Sequence, residues 1–95
     1  MLNKFKRKDG FPSAYAFTCG YGVQFDNGTK RISLYHNNGS YEVKAINWNN
    51  ATSEAKEFAE TKGWNDPHGF RFWENYTTLS EAIKAYRTQH KKLGI

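Results

Sequence analysis

The sequence predicts an α+β fold: a three-stranded antiparallel meander, then a helix, a fourth strand and a second helix (β-β-β-α-β-α), with the helices packed on one face of the sheet. Two Asn-Gly pairs, Asn27-Gly28 and Asn38-Gly39, separate alternating apolar segments, as in two-residue hairpin turns. After Trp48 the apolar spacing changes to that of a helix. Ninety-five residues fit one domain, so we expect a basic N-terminal arm over residues 1–11 and a single domain over 12–95.

The two turns predict a register for the meander. With each Asn-Gly at the centre of a type I′ turn, Val23 lies opposite Ile32, and Ile32 lies opposite Ala45. The predicted inward rungs are Tyr21–Leu34–Val43 and Val23–Ile32–Ala45, extended along the first strand by Phe17 and Tyr15. Two independent turns thus predict one apolar inner face.

The second half of the chain carries helix-start and helix-stop signals. Asn49 or Asn50 is the predicted cap of a helix that ends at Lys62-Gly63. The fourth strand is predicted over residues 70–76, with Phe70, Phe72 and Tyr76 on one side and Arg71 and Trp73 on the other. A capping box, Thr78-Leu79-Ser80-Glu81, begins the last helix.

The composition favours a cytoplasmic protein. A single cysteine, Cys19, excludes an intramolecular disulfide and fits a reducing compartment. The basic N-terminus lacks the apolar segment of a signal peptide, and no run of about 18 apolar residues is present.

The charge of +5 is concentrated at the two ends of the chain. Residues 1–8 contain four basic and no acidic side chains, and residues 84–95 also contain four basic and no acidic side chains. Residues 9–83 contain six basic and nine acidic side chains, a net charge of −3. Basic ends on a mildly acidic body favour binding to a polyanion, although basic tails also increase solubility.

The basic residues of the last helix form the most concrete candidate site. Lys84, Arg87 and Lys91 have a spacing that places them on one helix face. With the arm they are expected to contact phosphates; the alternative is that they offset the dipole at the helix C-terminus. The predicted nucleic-acid-binding residues are Lys4, Lys6, Arg7, Lys8, Arg31, Lys44, Lys84, Arg87, Lys91 and Lys92.

The outer face of the meander is a second candidate. Arg31 and Lys44 lie there beside Tyr35 and Trp48, and basic groups between aromatic rings are typical of single-strand binders. Tyr35, Trp48 and Trp73 are the aromatic binding candidates. The alternative is that a helix or the fourth strand covers Trp48 and Ile46.

No pattern of catalytic or metal-ligating residues is present. The predicted register places Cys19 opposite His36 on the core side without a third orienting group, which favours a partly buried pair over a nucleophile and base. The three histidines lack metal-ligand spacing, so we expect neither an enzyme nor a cofactor.

These observations favour a small, non-enzymatic protein that binds RNA or DNA. The alternative is a small phage-encoded effector that binds and inhibits or modulates a host protein, with the outer-face aromatics at its interface. Lysine outnumbers arginine ten to four and asparagine occurs nine times, a bias that many small bacteriophage proteins share.

Overall fold

The computed structural model describes residues 4–95 and contains a four-stranded antiparallel sheet with three α-helices. The elements are α1 (Ala14–Thr18), β1 (Gly22–Asp26), β2 (Lys30–Asn37), β3 (Ser40–Asn47), α2 (Ser53–Lys62), β4 (Phe70–Tyr76) and α3 (Leu79–Leu93). Each strand pairs with the next strand along the chain, in the order β1-β2-β3-β4. The predicted α+β fold is confirmed, with the short helix α1 added before the meander.

The second Asn-Gly turn has the predicted form. Asn38 and Gly39 have φ angles of 49° and 82°, the two positive values that a type I′ turn requires. The predicted pairing of β2 with β3 is confirmed at Ile32–Ala45 and Leu34–Val43.

The first turn lies one residue later than predicted. The N–H of Asn27 donates to the carbonyl of Lys30 at 3.2 Å, so Asn27 closes the turn and is not at its centre. Gly28 has a φ of 89°, and a glycine at the first central position is typical of a type II′ turn. The Asp26 carboxylate accepts from the Gly28 N–H at 2.8 Å, which stabilises the shifted turn.

This shift moves the β1–β2 pairing by two residues. Val23 pairs with Leu34 and Phe25 with Ile32, so the predicted Tyr21–Leu34 and Val23–Ile32 pairs are wrong. Because side chains alternate with a period of two, a slip of two residues leaves each side chain on its predicted face. The inner face therefore keeps Val23 and the predicted residues of β2 and β3. Tyr21 was also predicted to face inward, but it precedes β1 and is 54% exposed, so that prediction is wrong.

The start of the predicted first strand is the helix α1. The Ser13 hydroxyl accepts from the Ala16 N–H at 3.2 Å and caps this helix. Phe17 is buried as predicted, but it reaches the core from the helix, and Tyr15 is exposed. Cys19 follows the helix and is exposed, so its predicted position opposite His36 is wrong.

A β-bulge changes the predicted faces of β4. Ala45 pairs with Phe72 and Ile46 pairs with Phe70, which leaves Arg71 as the extra residue. Phe70 therefore lies on the face of Trp73, and the two rings are stacked with centroids 5.1 Å apart. The predicted grouping of Phe70 with Phe72 is wrong, because the strand does not alternate regularly across the bulge.

Helix α2 ends and helix α3 begins as predicted, but α2 begins later than predicted. Thr52 is its N-cap, in place of the predicted Asn49 or Asn50, and its hydroxyl accepts from the Ala55 N–H at 3.3 Å. Gly63 ends α2 in the left-handed conformation. At α3 the Thr78 hydroxyl accepts from the Glu81 N–H at 3.3 Å, as the capping box predicts.

The core lies between the inner sheet face and α3, while α2 packs against the edge strand β4. Its buried residues are Phe17, Ile32, Leu34, Tyr41, Val43, Ala45, Ala82, Ile83, Tyr86 and Leu93. The Lys30 ammonium donates to the Leu93 carbonyl at 2.8 Å and so satisfies one of the free carbonyls at the end of α3.

Candidate functional site

The exposed ridge of α3 carries the predicted basic residues. Lys84, Arg87 and Lys91 are all exposed and fall within about 60° around the helix axis, at about 100° per residue. Lys92 is also exposed, but it lies on the flank of the helix that faces α2. Three of the four predicted helix residues therefore share one surface.

The predicted basic arm folds back on itself over its described part. Lys6 forms a β-bridge with Pro12, and the Arg7 N–H donates to the Phe11 carbonyl at 2.7 Å. Inside this loop the Asp9 carboxylate accepts from the Phe11 N–H at 3.0 Å. Residues 4–12 thus form a closed loop with its own hydrogen bonds, which we call the basic loop. Residues 1–3 of the predicted arm lie outside the described residues.

The basic loop is fixed to α3 by a polar and an aromatic contact. The Arg87 guanidinium donates to Asp9 Oδ2 at 3.0 Å and lies 5.5 Å from the centre of the Phe11 ring. The Phe11 and Tyr86 rings pack in a T-shaped arrangement, with centroids 5.6 Å apart. The hydrogen bond from the Phe11 N–H, with a smaller contribution from Arg87, holds the pKa of Asp9 below its usual value although desolvation opposes this.

These contacts join the two basic ends of the chain into one surface. Residues 4–12 contain four basic groups and one acid, and residues 84–95 contain four basic groups and no acid, so the combined charge is +7. Among residues 4–95, no carboxylate forms an ion pair with six of these cations. Five of them are Lys4, Lys6, Lys8, Lys84 and Lys91, and the sixth, Lys92, lies on the flank of α3 that faces α2. We call the region of the first five and Arg87 the basic surface.

Lys4 and Arg7 occupy the margin of this surface. The Lys4 ammonium lies 4.9 Å from the centre of the Tyr15 ring, a cation–π distance. Arg7 Nη2 lies 3.7 Å from Asp9 Oδ2, so this acid is shared by Arg7 and Arg87. Two arginines on one carboxylate keep a net positive charge at the junction.

Arg31 and Lys44 lie on the opposite side of the sheet from α3 and are paired with acids. Arg31 binds Asp26 at 2.9 Å and lies 5.2 Å from the centre of the Trp48 ring. Lys44 lies 3.2 Å from Glu42 Oε1 and 4.3 Å from the centre of the Trp73 ring. The two predicted sheet-face cations are therefore neutralised by neighbours and separated from the basic surface.

The three aromatic candidates differ in exposure. Trp48 is 46% exposed and Tyr35 is 38% exposed. Trp73 is half-buried, and its Nε1–H donates to Glu42 Oε2 at 3.0 Å. Ile46 is buried, as the alternative for this face expected, whereas Trp48 is not covered. The outer face thus carries balanced charges and two accessible rings.

A groove between α2 and α3 was not predicted from the sequence. Its lining includes Arg71 and Gln89, neither of which was a candidate residue. Arg71 is the extra residue of the β-bulge, and nothing in the sequence pattern marks such an irregularity. Gln89 had a readable signal, because it is a polar residue three positions from Tyr86 on the buried side of a helix.

Comparisons with models of known protein families, with curated proteins and with solved structures found no match. In the described part of the chain, no helix is long and apolar enough to cross a membrane. Within the same residues, no group of three or more His, Cys, Asp or Glu side chains could hold a metal ion. The features of the described residues that bear on function are therefore the exposed surfaces and the groove.

Proposed function

We propose that this protein binds nucleic acid through the basic surface. The observation that carries the proposal is the contact between Arg87 and Asp9, since it joins the basic loop to the ridge of α3. Each segment alone resembles a solubilising tail or a helix C-terminus with compensating cations. Together they form one positive surface with five lysines that have no acidic partner among residues 4–95.

The arrangement of the lysines suits phosphate better than an isolated carboxylate. Lys84 and Lys91 are separated by seven residues, which is about 10 Å along the helix at 1.5 Å per residue. Nucleic acids present a regular row of negative charges, so one strand can reach several lysines at once. Binding of this kind is largely independent of base sequence, because phosphates carry no base identity.

The proposal is tested with two matched double substitutions. Lys84→Gln with Lys91→Gln removes two cations from the basic surface, one inside α3 and one in its last turn. Lys56→Gln with Lys62→Gln makes the same change in α2, again at one interior and one last-turn position. Affinity for a fluorescent oligonucleotide is measured by anisotropy at several salt concentrations.

We expect the α3 variant to bind more weakly and with a smaller dependence on salt. Two lost phosphate contacts reduce the slope of log K against log salt by about 1.4 on a single strand or about 1.8 on a duplex. The α2 variant should retain the slope of the unmodified protein. Equal behaviour of the two variants would refute the assignment to the basic surface.

The outer sheet face supports a second candidate function, binding to another protein. Its charges balance in the Arg31–Asp26 and Lys44–Glu42 pairs, and Trp48 is exposed beside them. Exposed tryptophan is enriched among residues that dominate protein interfaces. A protein that co-purifies with the unmodified chain after nuclease treatment, but not with Trp48→Ala, would support this function. Co-purification of the same proteins with the unmodified chain and with Trp48→Ala would refute it.

A further inference from the structure

The groove between α2 and α3 has the dimensions of a small-ligand site. One part has a volume of about 360 Å³, with Phe72 of β4 and Phe58 of α2 in its lining. A second part, of about 370 Å³, continues along α3 toward Lys84 and shares Phe72 and Gln89 with the first. Ligand sites commonly fall between about 300 and 1,000 Å³.

Two polar side chains of the groove have unused hydrogen-bonding capacity. Gln89 is only 8% exposed, and its side-chain amide makes no hydrogen bond to residues 4–95. Arg71 Nε is buried and has no acceptor, and the guanidinium contacts Glu54 only at 4.0 Å. Buried donors and acceptors are nearly always satisfied by protein, water or a ligand. Arg71 Nε is the buried atom without a partner, whereas the unpaired amide of Gln89 stays open to the groove and can bind a polar occupant.

The charges of the groove indicate a neutral occupant. Arg71 and Lys92 oppose binding of a cation, and Glu54 and Glu57 oppose binding of a phosphate or carboxylate. A neutral group with both donors and acceptors can satisfy an amide and a guanidinium without a charge penalty. The aromatic lining favours a group that is flat and has apolar faces. A nucleobase combines these properties.

We propose that the groove binds a nucleobase of a single strand whose phosphates lie on the basic surface. This inference rests on the proposed function. Lys84 connects the two sites, since it belongs to the α3 ridge and lines the second part of the groove. The amide of Gln89 forms hydrogen bonds with the polar edge of the base, and the ring of the base lies against Phe72. A duplex cannot place a base in the groove, because its bases are stacked and their Watson–Crick edges are paired.

The first test uses uncharged nucleosides, so it does not depend on phosphate binding. Ribonucleosides are titrated into the labelled protein, and NMR follows the Gln89 side-chain amide and the Arg71 Nε–H. We expect both signals to shift, while the Gln24 amide on the outer face does not. Binding with a Kd of about 1 mM would be nearly complete at about 10 mM nucleoside. No shift at that concentration would overturn the groove as a nucleobase site.

The second test compares Gln89→Met with Gln24→Met in oligonucleotide binding. Methionine retains the length of the side chain and removes the amide, and thermal unfolding checks that both variants are folded. We expect Gln89→Met to weaken single-strand binding about tenfold, to leave duplex binding unchanged, and to preserve the salt slope, which counts phosphate contacts. Gln24→Met should bind like the unmodified protein.

The outcomes separate the two proposals. Equal single-strand affinity of Gln89→Met and the unmodified protein, with a steep salt slope in both, would overturn the groove proposal and leave the proposed function in place. A duplex preference would also overturn it. Binding that is independent of salt would overturn the proposed function, and with it the placement of a strand along α3.

Discussion

Glu42 is the centre of a compact network on the outer sheet face, and its replacement tests that network. Its Oε2 accepts from Trp73 Nε1–H at 3.0 Å, and its Oε1 lies 3.2 Å from the Lys44 ammonium. Only 13% of the side chain is exposed. Burial alone raises the pKa of Glu42, but the hydrogen bonds from Trp73 and Lys44 outweigh it and hold the pKa below 4.5.

The expected cost of Glu42→Gln follows from these contacts. Hydrogen bonds to a charged group contribute about 1.5–3 kcal/mol and neutral ones about 0.5–1.5 kcal/mol. Glutamine retains a neutral acceptor for Trp73 but loses the attraction to Lys44. The free energy of unfolding should therefore decrease by about 1.5 kcal/mol at pH 7. For a domain of this size, that corresponds to a decrease of about 6–12 °C in Tm.

The pH dependence of stability provides a second, independent test of the ionised Glu42 carboxylate. A carboxylate with a lowered folded-state pKa stabilises the protein above pH 4.5, and this contribution is lost as the pH falls through the folded-state value. The stability curves of Glu42→Gln and the unmodified protein should therefore converge between pH 4.5 and the lower pKa. A constant difference in that range would refute the ionised network.

Thermal unfolding followed by circular dichroism at several pH values measures these differences. Glu60→Gln on the exposed side of α2 is the matched control, since it removes a carboxylate without a hydrogen-bonding or ion-pair partner among residues 4–95. The free energy of unfolding of the control should lie within about 0.5 kcal/mol of that of the unmodified protein. Equal losses for the two variants would contradict the role assigned to Glu42.

Two further substitutions test the meander, one by thermal unfolding and one by near-ultraviolet circular dichroism. Gly39→Ala should destabilise the protein by about 1–2 kcal/mol, because Gly39 has a φ of 82° in the second turn, and an unchanged Tm would contradict the type I′ geometry. Gly22→Ala should displace the Tyr35 ring and change its near-ultraviolet circular dichroism, because an added Cβ would overlap ring atoms of Tyr35. An unaltered aromatic spectrum would show that the ring does not cover Gly22.

The inner sheet face was predictable even though one hairpin register was not. The Asn-Gly rule placed both turn centres, and at the first turn the Asp26 carboxylate and the Asn27 amide stabilise a centre one residue later. That error moves the pairing by two residues, and a period of two conceals it. The pattern of apolar residues therefore determines the face more strongly than the turn determines the partner.

The short helix and the bulge required tertiary information. Helix α1 is five residues long, too short for a helical period to be visible beside alternating strand residues. Arg71 becomes the bulge residue because β4 must pair with β3 while Phe70 reaches the outer face beside Trp73. Neither the helix nor the bulge is determined by the local sequence of its own segment.

The candidate cations were readable from the sequence, but their partners were not. The pairing of Arg31 with Asp26 depends on the observed register, since the predicted one placed Arg31 opposite Gln24. The contact between Arg87 and Asp9 joins residues 78 positions apart, and no local pattern encodes it. Sequence therefore indicated the basic segments, and the fold determined which cations have acidic partners.

The most direct test of nucleic-acid binding is the salt dependence of oligonucleotide affinity for the unmodified protein. Four to six phosphate contacts on a single strand predict a slope of log K against log salt between about −3 and −4. A slope in this range would support the basic surface as the binding site. A slope near zero, or no binding at low salt, would contradict the central claim.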